Sequence, residues 1–298
     1  GQRQGWWDEL GKTYKPLPPS KLKELPASTL ERPFLLVPGF HTPKDRFHHL
    51  VEKLTENGAN GGRAYFVSKG HFYADEDCTI RTTPQGKEAR VFVAVFDATN
   101  TPPDQAAPDL AMSLKAIQEF TGQPKVDVTA YSMGGLASRV YLDQGGDGIG
   151  KLMMLGTPNQ GSAMSRSALG LLDLQRWGYD TDWLLTRKPL DQNDRHALGW
   201  LLPVSGGSKN PQLEDLNNRW DQQRSRTEAV RLVGANSRFT FGRYFIPARG
   251  DGTVTGSSLR LEGEHTVFLK DPSHRSHGLL FSNPQSYLEM RSFFRWDR

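Results

Sequence analysis

Short apolar runs and segments of helical period alternate along the chain. Four runs have the length and the apolar content of buried strands: PFLLV (33–37), RVFVAVFD (90–97), KVDVTAY (125–131) and KLMMLG (151–156). Apolar residues recur at helical spacing in three segments, which are 45–57, 107–117 and a stretch that begins near Met133. Asp104 is predicted to cap the second of these helices. This alternation predicts an α/β fold in which helices cover both faces of a mostly parallel sheet.

The first 32 residues lack this alternation. Repeated prolines and charges in KPLPPSKLKELPASTLERP interrupt any sustained period. We therefore predict an extended N-terminal arm over residues 1–32 that lies on the body of the protein. Residues 33–298 are predicted to form one domain, because α/β folds of this length commonly do so.

Composition narrows the class of protein. Of the 298 residues, 36% are hydrophobic and 23% charged, and no apolar run approaches the length of a membrane-spanning helix. The formal net charge is only +4 and the basic residues are scattered, which disfavours a nucleic-acid partner. Cys78 is the only cysteine, so an intrachain disulfide is excluded while the compartment stays open. The chain starts at Gly1 and not at Met, so a signal segment was either removed or never included. The localisation stays unknown, with a lean toward secretion or export.

Ser132 lies between a buried strand and a helix, in the sequence AYSMGG. A serine at such a junction can occupy a sharp turn that raises its hydroxyl above the sheet edge, provided that its neighbours are small. Gly134 and Gly135 follow it, while Ala130 stands where the G-x-S-x-G pattern has its first glycine. The alternative is a serine that only caps the following helix.

Six segments together resemble the lipase and esterase branch of the α/β-hydrolase family, in the family's order from residue 33 to residue 295. They are FLLVPGFH, TGQPKVDVTAYSMGGLASRVYL, LMMLGTPNQGS, NPQLEDLN, ARGDGTV and SHGLLFSNPQSYLEMRSFF. Pro38 departs from the histidine that many relatives have before the glycine of the first segment. The resemblance implies an α/β-hydrolase fold with a nucleophilic serine, a carboxylate and a histidine, in that order along the chain.

Asp251 and His277 are the expected partners of Ser132. Asp251 lies in RGDGTV after FGRYFIP, which would place its carboxylate at the end of a core strand, although Gly-Asp-Gly is also ordinary turn composition. Asp97 is the alternative acid, but it precedes the serine. His277 has the family's spacing to the last helix, and His274 in the same loop is the alternative base. His265 is discounted because it falls within the strand-like EHTVFL.

Two backbone amides are expected to stabilise an oxyanion. The amide of Met133 follows the nucleophile and opens a helix, and the amide of Phe40 follows Pro38 and Gly39. Phe40 could instead be a plain core residue.

Residues 162–210 are predicted to form a mainly helical cap over Ser132. Strand and helix signals stop alternating there, and leucines and tryptophans are frequent. Trp177, Trp183 and Trp200 are candidates to line an acyl pocket, or they could form a small subsidiary core.

These observations predict a serine hydrolase of carboxylic esters, with an ester or lipid substrate and an acyl-enzyme intermediate. Polyester depolymerase, amidase, acyltransferase and a noncatalytic binding module on the same fold are the alternatives. A lipid substrate would bring peripheral contact with lipid surfaces. No cofactor is expected, since phosphate-binding and dinucleotide-binding glycine motifs are missing. No metal is expected either, because the acids of ADEDC (74–78) are adjacent rather than convergent.

Overall fold

The computed structural model describes residues 19–86, 88–176, 192–204, 210–241, 247–270 and 276–296. In these residues nine strands form one sheet, in the order β11-β8-β7-β6-β1-β5-β2-β3-β4. Its strands are β1 (Phe34–Val37), β2 (Ala64–Ser68), β3 (His71–Tyr73), β4 (Arg81–Thr82), β5 (Val91–Ala94), β6 (Val126–Tyr131), β7 (Ile149–Leu155), β8 (Ala229–Ala235) and β11 (Thr266–Leu269). A separate antiparallel pair consists of β9 (Ser237–Phe241) and β10 (Pro247–Gly250).

Ten α-helices accompany the strands in the described residues. They are α1 (His48–Thr55), α2 (Pro103–Thr121), α3 (Met133–Asp143), α4 (Ala163–Arg176), α5 (Gln192–Trp200), α6 (Pro211–Asn218), α7 (Trp220–Arg224), α8 (Gly256–Leu259), α9 (Ser276–Leu279) and α10 (Pro284–Phe294). None of the helices so described is both long enough and apolar enough to cross a membrane.

The sheet is mostly parallel, as the sequence predicts. Only β3 and β4 run antiparallel to their neighbours, at one edge. Val37 of β1 pairs with Ala130 of β6, and Tyr131 of β6 pairs with Leu155 of β7. The carboxyl ends of these three central strands therefore lie at the same level, where parallel α/β sheets commonly bind ligands.

All four strands predicted from the apolar runs are present, but β5 ends at Ala94 rather than at residue 97. Two further buried strands, β2 and β8, were missed by the sequence analysis. The predicted cap at Asp104 is wrong. Pro102 is the N-cap of α2, and Asp104 lies within the first turn of that helix.

The described part of the N-terminal segment packs on the last helix. Residues 19–24 form a 3-10 helix instead of extended chain, and Leu22 and Leu30 are buried in the core on that side of the sheet. Ser28 Oγ lies 2.7 Å from the hydroxyl of Tyr287 in α10, which also donates a hydrogen bond to the Pro26 carbonyl. Residues 1–18 of the predicted arm lie outside the described residues.

Arg139 of α3 is fully buried and links α3 to neighbouring helices. Its guanidinium donates to Gln223 Oε1 at 3.0 Å, to Asn159 Oδ1 at 3.1 Å and to the Leu216 carbonyl at 3.2 Å. All three acceptors are uncharged, and burial lowers the pKa of the guanidinium to about 9. The planar fork thus joins α3 to α6, to α7 and to the loop after β7.

We predict that Arg139→Lys lowers the free energy of unfolding by about 2–4 kcal/mol. Lysine retains the buried charge but cannot reach three divergent acceptors. Each buried acceptor that is left without a donor destabilises the folded state by about 1–3 kcal/mol. Denaturant titration measures the change. Arg219→Lys is the matched control, because Arg219 is half exposed and binds Asp143, an arrangement worth less than about 1 kcal/mol. Equal small losses in both variants would contradict the prediction.

Candidate active site

Ser132 occupies the sharp turn between β6 and α3. Its backbone angles, φ 50° and ψ −126°, lie where residues other than glycine are strained. The surroundings fix this conformation. The Ser132 amide donates to the Leu155 carbonyl at 2.8 Å, and a Cβ at Gly134 would collide with the Pro38 carbonyl oxygen. Such strain is a common feature of functional sites.

Ala130 departs from the glycine of the serine motif without distorting the turn. Its methyl group is fully buried in the main core, which is the cluster of buried apolar residues that includes Val128, Leu136 and Leu152. A small side chain at this position is therefore accommodated by the packing of β6.

The structure brings Ser132, His277 and Asp251 together in a hydrogen-bonded row. His277 Nε2 lies 3.1 Å from Ser132 Oγ, and His277 Nδ1 lies 2.6 Å from Asp251 Oδ2. Asp251 is completely buried, and its other oxygen accepts the amides of Thr253 and Val254 at 3.0 and 2.7 Å. A proton on Nδ1 would pair with the carboxylate and leave Nε2 free to accept the serine proton.

Because Gly156 has no side chain, it makes room for the contact between His277 and Asp251. A Cβ on Gly156 would lie 2.8 Å from Asp251 Oδ2 and 2.8 Å from His277 Nδ1, and the residue has a φ of 60°. A side chain here would therefore meet both atoms of the histidine–carboxylate pair.

Tyr131 and Arg46 both donate to backbone carbonyls of α9, the helix that carries His277. The Tyr131 hydroxyl donates to the His277 carbonyl at 3.1 Å, and its ring centroid lies 5.0 Å from that of His277. Arg46 donates to the carbonyl of Gly278. Burial raises the pKa of Tyr131 above its usual value, so the phenol stays protonated as a donor. Sequence reasoning missed both residues. Only the position of Tyr131 next to Ser132 could have indicated one of them.

The loop of the second expected amide lies against the serine turn. A Cβ on Gly39 would lie 2.7 Å from Ser132 Cβ and 3.1 Å from the Met133 nitrogen. Phe40 follows, partly buried, with its ring against the main core. The amides of Phe40 and Met133 are thus carried by two backbone segments in close contact, and the side chain of Phe40 serves packing at the same time.

The alternative acid does not approach the serine row. The Asp97 side chain is 64% exposed and pairs with Lys69 at 2.7 Å. His265 is exposed just before β11. His274, the alternative base, lies outside the described residues.

The predicted position of Asp251 at the end of a core strand is wrong. Asp251 follows β10, which belongs to the small antiparallel pair outside the main sheet. The apolar residues of FGRYFIP suggested a core strand, but the described ends of this segment, at Phe241 and Pro247, pair with each other.

The cap segment is helical where it is described, in α4 and α5. Trp200 ends α5 buried in the main core, where its indole Nε1 donates to Asp104 Oδ1 at 3.0 Å. These contacts favour packing over pocket lining for this residue. Trp177 and Trp183 lie outside the described residues.

Acidic and histidine side chains form no group of three suited to a metal ion within the described ranges. Asp75 of the ADEDC segment instead accepts the amides of Thr79 and Ile80 within its own loop.

Comparison with solved structures identifies the architecture as the α/β-hydrolase fold. The mature lipase BlEst2 of Bacillus licheniformis is similar with a TM-score of 0.52 and 17% identity, over 89% of this chain and 91% of that one. Its propeptide form has a TM-score of 0.55 and 17% identity, over 94% of this chain and 51% of that one. Phospholipase PlaB of Legionella pneumophila has a TM-score of 0.54 and 14% identity, over 89% of this chain and 59% of that one.

The chain thus spans between half and three-fifths of the length of two of these relatives. No protein-family model and no curated protein matches it. At identities this low the likeness shows the fold, and the chemistry has to be argued from the site itself.

Proposed function

We propose that the protein is a serine hydrolase that cleaves carboxylic esters through an acyl-enzyme. The observation that carries the proposal is the strained Ser132, whose hydroxyl lies 3.1 Å from a histidine held at 2.6 Å by a buried carboxylate. A serine hydroxyl alone is a poor nucleophile at neutral pH, and this arrangement supplies the base that activates it.

In the first half of the reaction Ser132 Oγ attacks the ester carbonyl carbon while His277 Nε2 takes the hydroxyl proton. Asp251 keeps the imidazole oriented and stabilises its charged form. The tetrahedral intermediate then collapses, and His277 returns the proton to the departing alcohol oxygen. An acyl group remains bonded to Ser132 Oγ.

Water completes the cycle by the same steps. His277 accepts a proton from water as the water oxygen attacks the acyl carbon. It then gives that proton to Ser132 Oγ as the carboxylic acid product leaves. In both halves the amides of Phe40 and Met133 would donate to the carbonyl oxygen as it becomes negative. Rigid backbone donors suit this role because they need no reorganisation during the reaction.

Esters of fatty acids are the first substrates to examine. The names of the similar structures, a lipase and a phospholipase, support an acyl ester, and a lipid substrate would bring the protein into contact with lipid surfaces. Polyesters, amides and acyl transfer to an alcohol use the same serine, histidine and aspartate, so they remain alternatives within this proposal.

A fluorophosphonate probe together with p-nitrophenyl esters from acetate to palmitate tests the function. We expect one probe to attach per chain, at Ser132, and at least one ester to be hydrolysed, because both reactions require the activated hydroxyl. Peptide mapping locates the adduct. A protein that neither reacts with the probe nor cleaves any ester would contradict the proposal and favour a binding module on the same fold.

A further inference from the structure

His41 lies beside the proposed oxyanion amide and joins it to the cap. Its ring Nε2 is 2.6 Å from Asp194 Oδ1 in α5, and its ring Nδ1 is 3.1 Å from Thr99 Oγ1 in the loop after β5. Since a carboxylate can only accept, the Nε2 atom carries the proton of this contact.

The backbone around Phe40 is fixed on both sides. The Gly39 amide donates to Thr42 Oγ1 at 2.9 Å, and the Thr42 amide returns to the Gly39 carbonyl at 3.4 Å. His41 has a φ of 47°, in the left-handed region, and its amide donates to the Thr99 carbonyl at 2.7 Å. His41 thus lies in a strained turn directly after Phe40, and its ring contacts with Asp194 and Thr99 tie that turn to the surrounding protein.

Asp194 is built into the protein and is not a loose surface acid. Its side chain is 4% exposed, and it also accepts from Asn100 Nδ2 at 3.1 Å. A buried carboxylate is costly unless donors surround it, so His41 and Asn100 have a reason to stay in contact with it.

The cap helix has a second attachment that does not involve His41. His196 lies 3.4 Å from Asp104 Oδ2, and Trp200 donates to Asp104 Oδ1 at 3.0 Å. Removing the His41 contact should therefore leave α5 docked on α2 while the turn that carries Phe40 loses its tie to the cap.

We infer that His41 is a positioning residue, which holds the Phe40 amide toward the reacting carbonyl by tying its turn to Asp194 of the cap. The inference rests on the proposed function. It implies that the cap influences the rate of the chemical step through this contact, in addition to any contact that it makes with substrate.

Two substitutions of His41 separate the ring contacts. His41→Gln can reach Asp194 as Nε2 does, whereas His41→Asn can reach only Thr99, and asparagine tolerates the left-handed backbone better than glutamine. If only the backbone conformation of residue 41 matters, the asparagine variant should therefore have the higher kcat. If the contact with Asp194 matters, as proposed here, the glutamine variant should have the higher kcat. His48→Gln is the matched control, because His48 pairs with Glu76 at 3.0 Å on an exposed part of α1.

The measurements are kcat and KM for the best p-nitrophenyl ester, with active protein counted by fluorophosphonate titration. We expect His41→Asn to lower kcat about 10-fold with KM within about 2-fold, which is less than the roughly 10²- to 10³-fold loss on deleting an oxyanion donor. His41→Gln should stay within about 3-fold of the unmodified protein, and His48→Gln should match it. The rate of phosphonylation should fall in parallel with kcat, since the phosphonate also forms an oxyanion.

Asp194→Ala removes the acceptor of the His41 contact from the side of the cap and covers the case in which His41→Asn folds poorly. It should lower kcat to a similar extent, and the double variant should lose no more than either single one. The inference is overturned if His41→Asn keeps its kcat, if His41→Gln is as slow as His41→Asn, if only KM changes, or if the two sites act additively. An unmodified protein without esterase or probe reaction would instead refute the proposed function.

Discussion

Ser132→Ala is expected to abolish ester hydrolysis while the protein stays folded. The hydroxyl is the atom that forms the acyl-enzyme, so its loss should reduce kcat by about 10⁴-fold or more, the scale seen when a hydrolase loses its nucleophile. Hydrolysis of the best p-nitrophenyl ester measures the effect, and labelling by the fluorophosphonate should disappear with it.

The fold should tolerate this change because alanine removes one atom from a turn that many other contacts fix. The melting temperature should change little, because the contacts that fix the turn, such as the bond of its amide to the Leu155 carbonyl, do not use the hydroxyl. Ser138→Ala is a suitable control. Its buried hydroxyl donates to the Gly134 carbonyl within α3 and is not one of the three groups bonded around Ser132. Activity of Ser132→Ala within tenfold of the unmodified protein would exclude the mechanism.

His277→Ala is expected to match the serine variant, with a loss of about 10⁴-fold or more in kcat. Without the imidazole no group takes the serine proton, although Ser132 and Asp251 remain in place. His274→Ala should lose far less, because one imidazole already bridges the hydroxyl and the carboxylate. Steady-state kinetics on the two variants in parallel measures the difference.

The reverse order of effects would assign the base to His274 and leave the class of reaction unchanged. Equal, small effects in both histidine variants would contradict a histidine base altogether. Ser132→Ala shows the rate that remains without the nucleophile. Comparison of both histidine variants with it therefore shows whether their effects are small.

The sequence predicts the centre of the fold better than its edges. β1 and β5 are continuous apolar runs, as expected of strands buried on both faces. β6 is also buried throughout, although it carries the polar residues Asp127 and Thr129. β3 and β4 are short and partly exposed edge strands that carry no such signal. The cap of α2 was misassigned because Asp104 has the right residue type, while its carboxylate serves Trp200 and His196.

The candidate site could be predicted only in its parts with a local signature. Ser132 lies in a strand, turn and helix pattern that five residues define. Asp251 and His277 are suggested by their order along the chain. Nothing local predicts that His277 contacts a serine 145 residues before it and an aspartate 26 residues before it. Tyr131, Gly156 and His41 act through contacts between segments distant in sequence, and composition or spacing cannot reveal such contacts.

The contact of Ser28 with Tyr287 has a consequence for synthesis on the ribosome. The segment that contains Leu22, Ser28 and Leu30 is translated well before the helix that packs on it, since 259 residues separate Ser28 from Tyr287. The side of this segment that α10 covers therefore lacks that partner until about 260 further residues have been added, roughly 13–50 s at ordinary elongation rates. Chaperone binding during that interval would cover the same surface that the last helix finally occupies.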